Sequence, residues 1–283
     1  MYRLFGYTKQ AYYKQVSFRK SKSLNNELEK ELVLAHRVQM PRLGTRKLYH
    51  LVKEKLIKEK LKMGRDKLFD LLRSEGLLVA KRRKHYKTTN SRHWMRKYPN
   101  IIKDKVITRP EQVWVADITH ILTQDEPLYL HLITDAYSKQ IMGAELSNDM
   151  SATSSIKALN AAIKKRKYMN EPLTHHSDRG LQYCSIAYTK LLEKNNISIS
   201  MTENGDPYEN AIAERVNGIL KDEFGLGEKL ENFTYGKKLV NQSITAYNTL
   251  RPHLSCSMLT PEMMHKQRKI KLKTWHKKTS KTF

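Results

Sequence analysis

Three acidic residues stand where metal and phosphate chemistry would want them. Asp117 interrupts a β-branched and aromatic run, VWVADIT (113–119); Asp178 closes the short segment LTHHSD (173–178); Glu214 lies in ENAIAERVNGILKDEF (209–224), whose apolar spacing is helical. Carboxylates beside a sheet are costly to bury unless a cation neutralises them. Mg²⁺ accepts a few carboxylates together with waters and phosphate oxygens. In the third segment Ile212, Val216 and Ile219 recur at i, i+4 and i+7 as a core stripe, and Glu214 falls about 200° from Ile212. Lys221, two turns on, and Asn210, one turn before, share the Glu214 face. A carboxylate to bind metal and a cation to hold phosphate on one helix face suit phosphoryl transfer. A solvated helix with ordinary charges has the same pattern, so spacing alone leaves both readings open.

The elements that must position these residues are legible as changes of period. VWVADIT (113–119), LYLHLIT (128–134) and QIMGAEL (140–146) read as strands separated by short turns. Residues 151–168 read as a helix with Ser151 as N-cap, 173–178 as a strand, 185–196 as a helix, 197–202 as a strand, and 209–224 and 233–250 as helices. This order predicts an α/β fold, a mixed sheet with helices packed on it. Asp135 competes with Asp117 as a metal ligand but stands where a strand closes. His175 and His176, just before Asp178, read as structural hydrogen-bonding residues, Trp114 as core, and Gln182 and Tyr183 as residues that could position DNA.

Charge separates these elements from what precedes them. The 283 residues carry 53 Lys and Arg against 28 Asp and Glu, a net charge of +25. Residues 1–110 hold 30 basic and 9 acidic side chains, residues 111–265 hold 15 and 19, and residues 266–283 hold 8 and none. Basic stretches gain affinity for polyanions through counterion release, which points to nucleic acid. In GTRKLYHLVKEKL, Leu48, Leu51, Val52 and Leu56 form one helix face, and Leu68, Leu71 and Leu72 repeat the pattern in RDKLFDLLRSEG. Two short helices in a basic context predict a helix-turn-helix region over 1–80, with Arg65, Lys67 and Arg73 turned toward DNA. Lys81, Arg82, Arg83 and Lys84 open a basic linker over 81–110, an extended arm on phosphates or a spacer. An apolar-periodic core over 111–265 and a basic tail over 266–283 complete the organisation. Two cysteines cannot build a disulfide framework or a four-cysteine zinc site. No apolar run reaches the roughly 20 residues needed to span a bilayer. The expected location is the cytoplasm, with no membrane partner.

The acidic set resembles a known signature. Asp178 and Glu214 are separated by 35 residues, and Lys221 follows Glu214 by seven. This is similar to the D,D-35-E pattern, with trailing Lys or Arg, of transposases and retroviral-type integrases. More narrowly, VWVADIT, YLHLITDAYSK, HHSDRGLQY, ENAIAERVNGILKDE and YNTLRPH…LTPEMM resemble the second reading frame product of insertion-sequence transposases of the IS-three group. The resemblance covers most of the chain. It implies an RNase H-like catalytic core, Asp117, Asp178 and Glu214 as both catalytic and metal-binding residues, and a bacterial mobile element acting at the nucleoid. It further implies two Mg²⁺ or Mn²⁺ ions, Asp117 bridging them and Asp178 and Glu214 each holding one. Water would cut the element end, and the freed 3′-hydroxyl would join a second phosphodiester. Partners implied are double-stranded DNA (terminal inverted repeats and target), further copies of the chain on DNA, and the product of an upstream reading frame.

Two other classes share parts of the pattern. A metal-dependent nuclease or resolvase would use the same acids without strand transfer. A DNA-binding regulator would need the basic N-terminal region but leave three spaced carboxylates idle. A retroviral integrase is disfavoured, because its zinc module needs two cysteines before the core and both Cys184 and Cys256 fall within it.

Overall fold

The computed structural model describes residues 6, 8–80, 94–103, 105–203, 210–268 and 270. The chain forms two compact units, Met1–Lys81 and Arg82–Phe283. Among its described residues the first holds three helices, α1 (Lys9–Arg37), α2 (Thr45–Lys58) and α3 (Arg65–Ser74). Thr8 caps α1 by accepting from the Ala11 amide at 3.2 Å. Leu48, Val52 and Leu56 of α2 and Leu68, Leu71 and Leu72 of α3 are buried with Val33, Met40 and Leu43. The apolar periods of the two predicted helices thus meet in one small core. Gly76, with φ 65°, ends α3 in a left-handed conformation that a side chain disfavours. The α2–α3 link over 59–64 is longer than the roughly three- to four-residue turn of a DNA-binding helix-turn-helix. The first helix begins at Lys9. Lys, Arg, Gln and Ala over 9–22 propagate helix without an apolar face to announce it.

In the second unit, β1 (Val113–Ile121), β2 (Leu128–Asp135) and β3 (Ile141–Ser147) form an antiparallel meander. β4 (Leu173–Ser177) joins β1 in parallel and β5 (Ile197–Met201) joins β4 in parallel, giving the order β3-β2-β1-β4-β5. This is the RNase H-like mixed sheet that the resemblance implies. Helices α4 (Ala152–Lys165), α5 (Leu181–Cys184), α6 (Ile186–Lys194), α7 (Ala211–Glu223), α8 (Phe233–Thr249) and α9 (Pro261–His265) flank it. Alternation along β1 sorts its side chains. Trp114 and Ala116 join the cluster containing Leu159, Tyr188 and Leu192 of α4 and α6. Val113 and Val115 join Ala213 of α7. Asp117, two residues on, inherits the α7 face.

Several polar anchors hold this arrangement. The Asn248 side chain accepts from the Ile141 amide and donates to the Ile141 carbonyl, each at 3.0 Å, closing the exposed edge of β3. Arg251 makes two hydrogen bonds to Glu223, at 2.8 and 2.7 Å, linking the end of α8 to the end of α7. A buried charge network lies where β1 begins and β2 ends. Glu111 accepts from the Lys167 and Tyr168 amides at 2.8 and 2.9 Å and faces His265 Nε2 at 3.2 Å. Asp135 accepts from the Glu111 amide, the Ser138 amide and the Ser138 hydroxyl, each at 2.7 Å. Its oxygens are committed to closing β2, so Asp135 is structural and does not compete with Asp117.

Residues 94–110 depart from the expected arm. Met95 and Tyr98 pack on the main core cluster, and Ile102 and Ile107 on the cluster around Val113 and Val115. The Met201 amide donates to the Pro99 carbonyl at 3.3 Å, the Ile101 amide to Ser200 Oγ at 3.1 Å, and the Asn100 amide to Glu203 Oε1 at 3.1 Å. Apolar residues spaced through a basic stretch are enough to seat it on the edge of β5. Among the described residues, no helix is long and apolar enough to cross a membrane.

Candidate active site

Asp117 lies half-buried on the face of β1 that meets α7. Asp178 follows the C-terminal end of β4, and its Oδ1 accepts from the Gly180 amide at 3.0 Å, turning the chain into α5. Glu214 stands exposed in the first turn of α7. Strands β1 and β4 are hydrogen-bonded neighbours, so the first two acids meet across one strand spacing, about 4.8 Å. Helix α7 brings the third over β1. Their mutual influence appears in Asp117, whose carboxyl is pushed up to about 7 by burial, then by the charge of Asp178, with a further contribution from Glu214. A hydrogen bond from Asn217 Nδ2 to Asp117 Oδ2, at 2.7 Å, acts the other way by favouring the charged form.

Lys221 is half-buried on the same helix. Burial lowers its pKa, and the charges of Asp117 and Asp222 act to raise it. His120, further along β1, is lowered by burial and by the Lys221 ammonium. One end of the sheet therefore gathers Asp117, Asp178, Glu214 and Lys221. Among the described residues, no three His, Cys, Asp or Glu side chains are drawn together tightly enough to hold an ion.

Of the other residues singled out by the sequence, some depart from expectation. Asn210 is 8% exposed, and its Nδ2 donates to the Ala116 carbonyl at 3.1 Å. It ties the start of α7 to β1 and does not present a DNA-facing surface. The core stripe of α7 runs through Ala213, Val216 and Leu220 with Ile219, whereas Ile212 is only half-buried. Arg65, Lys67 and Arg73 are all exposed on α3. Arg65 is paired with Asp66 at 2.8 Å and Arg73 with Asp70 at 2.6 Å. At about 100° per residue Lys67 lies about 120° around the helix from Arg73, so the three do not form one face. Lys81, Arg82, Arg83 and Lys84 lie outside the described residues. His175 accepts or donates a 2.9 Å hydrogen bond with the Tyr188 hydroxyl, and burial holds its imidazole down at about 3, a neutral structural residue. Tyr183 is buried beside it, at the foot of the Asp178 turn.

Asn217 is the site residue that pattern reading missed. It lies three residues after Glu214 and four before Lys221, on the shared face, and that placement was the available signal.

The integrase core domain family model matches residues 107–207, and a second integrase core domain model matches residues 195–261. A Shigella sonnei protein named insertion element IS600 uncharacterized 31 kDa protein is 32% identical over 265 residues, covering 92% of this chain and 96% of its own length. The transposase InsF for insertion sequence IS3A of Escherichia coli strain K12 is 33% identical over 193 residues, covering 68% of this chain and 67% of its own. The chain belongs to the IS3-group insertion-sequence transposases. The integrase-type core of this IS3-group transposase spans the sheet and the helices that carry the four site residues. Among solved structures, the catalytic core domain of HTLV-2 integrase aligns with a TM-score of 0.44 at 20% identity, covering 56% of this chain and 97% of that one.

Proposed function

We propose that this IS3-group transposase cuts and joins DNA strands at the ends of a bacterial insertion sequence, with Asp117, Asp178 and Glu214 as the catalytic carboxylates. The observation that carries the reading is the approach of Asp178 and Glu214 to Asp117, close enough for both charges to act on its carboxyl. A half-buried carboxyl pushed up to about 7 by burial and two neighbouring carboxylates calls for a cation. Three carboxylates supply hard oxygen donors of the kind that suit Mg²⁺ or Mn²⁺. A divalent ion held there would polarise a phosphodiester and make bound water or a 3′-hydroxyl a better nucleophile.

The chain's own residues perform the rest. Asn217 holds one oxygen of Asp117 and fixes the direction of the other. Lys221, drawn toward Asp117, places positive charge where a scissile phosphate would sit and stabilises the charge that develops on it. Asn210 sets the start of α7 against β1 and thereby positions Glu214. Water and then the freed 3′-hydroxyl act as nucleophiles in line, so no covalent protein–DNA intermediate is required. The basic first unit, including Arg65, Lys67 and Arg73, and the basic stretch at Lys81, Arg82, Arg83 and Lys84 would recognise double-stranded DNA at the terminal inverted repeats. Pairing two ends requires more than one copy of the chain, together with the upstream reading frame product where the two are fused. The setting is the bacterial cytoplasm, at the nucleoid.

The test uses labelled DNA carrying the element ends, with Mg²⁺ or Mn²⁺, for the wild type and for Asp117→Asn, Asp178→Asn and Glu214→Gln. Metal-dependent cleavage and joining, lost in each variant while DNA binding persists, is the expected result. Cleavage without joining would make the chain a nuclease. Binding without cleavage, even with the upstream product supplied, would make it a regulator.

A further inference from the structure

The segment seated on the edge of β5 brings cations to the site from the side opposite Lys221. Strands β4 and β5 run in parallel, so Asp178, after β4, and Ser200, Met201 and Glu203, at the end of β5, lie at one end of the sheet. Pro99 and Ile101 are tied to Met201 and Ser200 of β5 and Asn100 to Glu203 just beyond it, and Met95 and Tyr98 pack on the cluster that holds Tyr183 and Cys184. Cys184 in turn contacts Met201, Sγ to Sδ at 3.7 Å. Lys97 and Arg179 are both close enough to act on the Cys184 thiol, which burial and Asp178 raise. The Arg96 guanidinium lies over the Tyr98 ring, 5.0 Å from its centroid. Stacking of this kind holds the group flat and leaves its N–H edge for an anion. Trp94 is 90% exposed, an indole left in water at the start of the anchored stretch.

We propose that Trp94, Arg96 and Lys97, with Arg179, form a nucleic-acid surface that holds the DNA strand on the Asp178 side of the carboxylates. Arg96 and Lys97 take phosphates, and Trp94 stacks on a base unpaired at the cut end. This rests on the reading of the carboxylates as the site that cuts DNA. The span fits. From β1, which carries Asp117, to β5 is two strand spacings, roughly 10 Å. A strand with a phosphate every ~3.4 Å of axis covers that distance in about three nucleotides. The Lys221 flank and the Arg96–Lys97 flank would then grip one strand on either side of the scissile bond. A solvated basic loop would need neither the anchoring hydrogen bonds nor an exposed indole.

The test measures binding of the full chain to labelled duplexes over a range of salt concentrations. Three variants are compared with the wild type: Arg96→Gln/Lys97→Gln, Trp94→Ala, and Lys237→Gln/Lys238→Gln, an equal charge change at exposed positions of α8. Loss of two phosphate contacts should reduce the slope of log affinity against log salt by about 2 and weaken binding at least about tenfold. The α8 pair should leave the slope as in wild type. Trp94→Ala should lose roughly fivefold or more on a duplex with an unpaired 3′ tail and nothing on a blunt duplex. A wild-type slope in Arg96→Gln/Lys97→Gln, with native circular dichroism, overturns the surface. So does unchanged binding of the tailed duplex by Trp94→Ala. If these variants lose binding while the wild type cuts no DNA, the surface stands and the catalytic reading falls.

Discussion

His265 offers a quantitative test of the architecture under the site. It is 1% exposed, with Nε2 at 3.2 Å from Glu111 Oε1 and Nδ1 at 2.9 Å from Ser138 Oγ and 3.8 Å from Asp135 Oδ1. Burial disfavours the imidazolium, but Asp135 and Glu111 outweigh it and raise the pKa to about 9. Glu111 is correspondingly lowered: burial alone would raise it, and His265 with the Lys167 and Tyr168 amides overcomes that. The folded value exceeds the unfolded one of about 6.5. The charged imidazole therefore stabilises the fold fully below pH 6.5, and the contribution is lost as pH rises through about 9. A gap of about 2.5 pH units at about 1.36 kcal/mol each amounts to about 3 kcal/mol. Urea unfolding of the full chain, in a Trp94→Phe/Trp275→Phe background where buried Trp114 reports the sheet, should show this loss between pH 6.5 and 9. His265→Gln should be destabilised by about 3–5 kcal/mol at pH 6.5, because two buried carboxylates lose their cation. The gap from wild type should shrink by about 3 kcal/mol at pH 9. Asp117 has titrated before most of this window, and thiols that burial raises above 9.0 titrate after it. Lys139 and Lys221, whose pKa values burial lowers, act with the opposite sign in both proteins, so the comparison carries the test: a pH dependence unchanged by His265→Gln would refute the assignment.

Three further outcomes follow from the site and the sheet. Asn217→Leu removes a charge-assisted hydrogen bond to Asp117 that contributes about 1.5–3 kcal/mol, so cleavage should slow roughly 10- to 100-fold with DNA affinity unchanged in a gel-shift assay. Asp117→Asn should raise the melting temperature by at least roughly 3 °C at pH 8 in metal-free buffer and much less at pH 4, because a carboxyl raised to about 7 loses its stabilising proton as pH rises through that value. Added Mg²⁺ should raise the wild-type melting temperature but not that of Asp117→Asn. Gly143→Ala should cost about 1–3 kcal/mol in urea unfolding, since a Cβ there would run into the backbone of Ala158 and Ala162 on α4.

The strands and most helices of the second unit were readable because each depends on a local period. Alternation through Val113, Val115 and Asp117 assigns a face without knowledge of the neighbouring strand. The interval from Glu214 to Lys221 is two helical turns in any α-helix. The placement of Asp117, Asp178, Glu214 and Lys221 on their strands and helix, and the basic character of the chain's ends, follow from that kind of pattern and from composition, whereas their grouping as a candidate site came from the family resemblance. Unit one was less legible, because the first part of α1 has no apolar face to signal it.

What the pattern could not supply were contacts across distance in the chain. Asn217 reaches Asp117 from 100 residues away, and Glu111 meets His265 across 154. Both depend on the sheet order β3-β2-β1-β4-β5, which decides which strand ends share an edge of the molecule. Asn210 looks solvent-facing on a helical wheel, yet it is buried because β1 lies against that edge of α7 and offers the Ala116 carbonyl. Residues 94–110 read as a charged spacer until Met95, Tyr98, Ile102 and Ile107 find the core. Local periodicity carries a residue as far as a face of its own helix or strand. Whether that face meets water, another strand or a second carboxylate is set by the packing of elements distant in the chain, because burial and Coulomb interaction act through space.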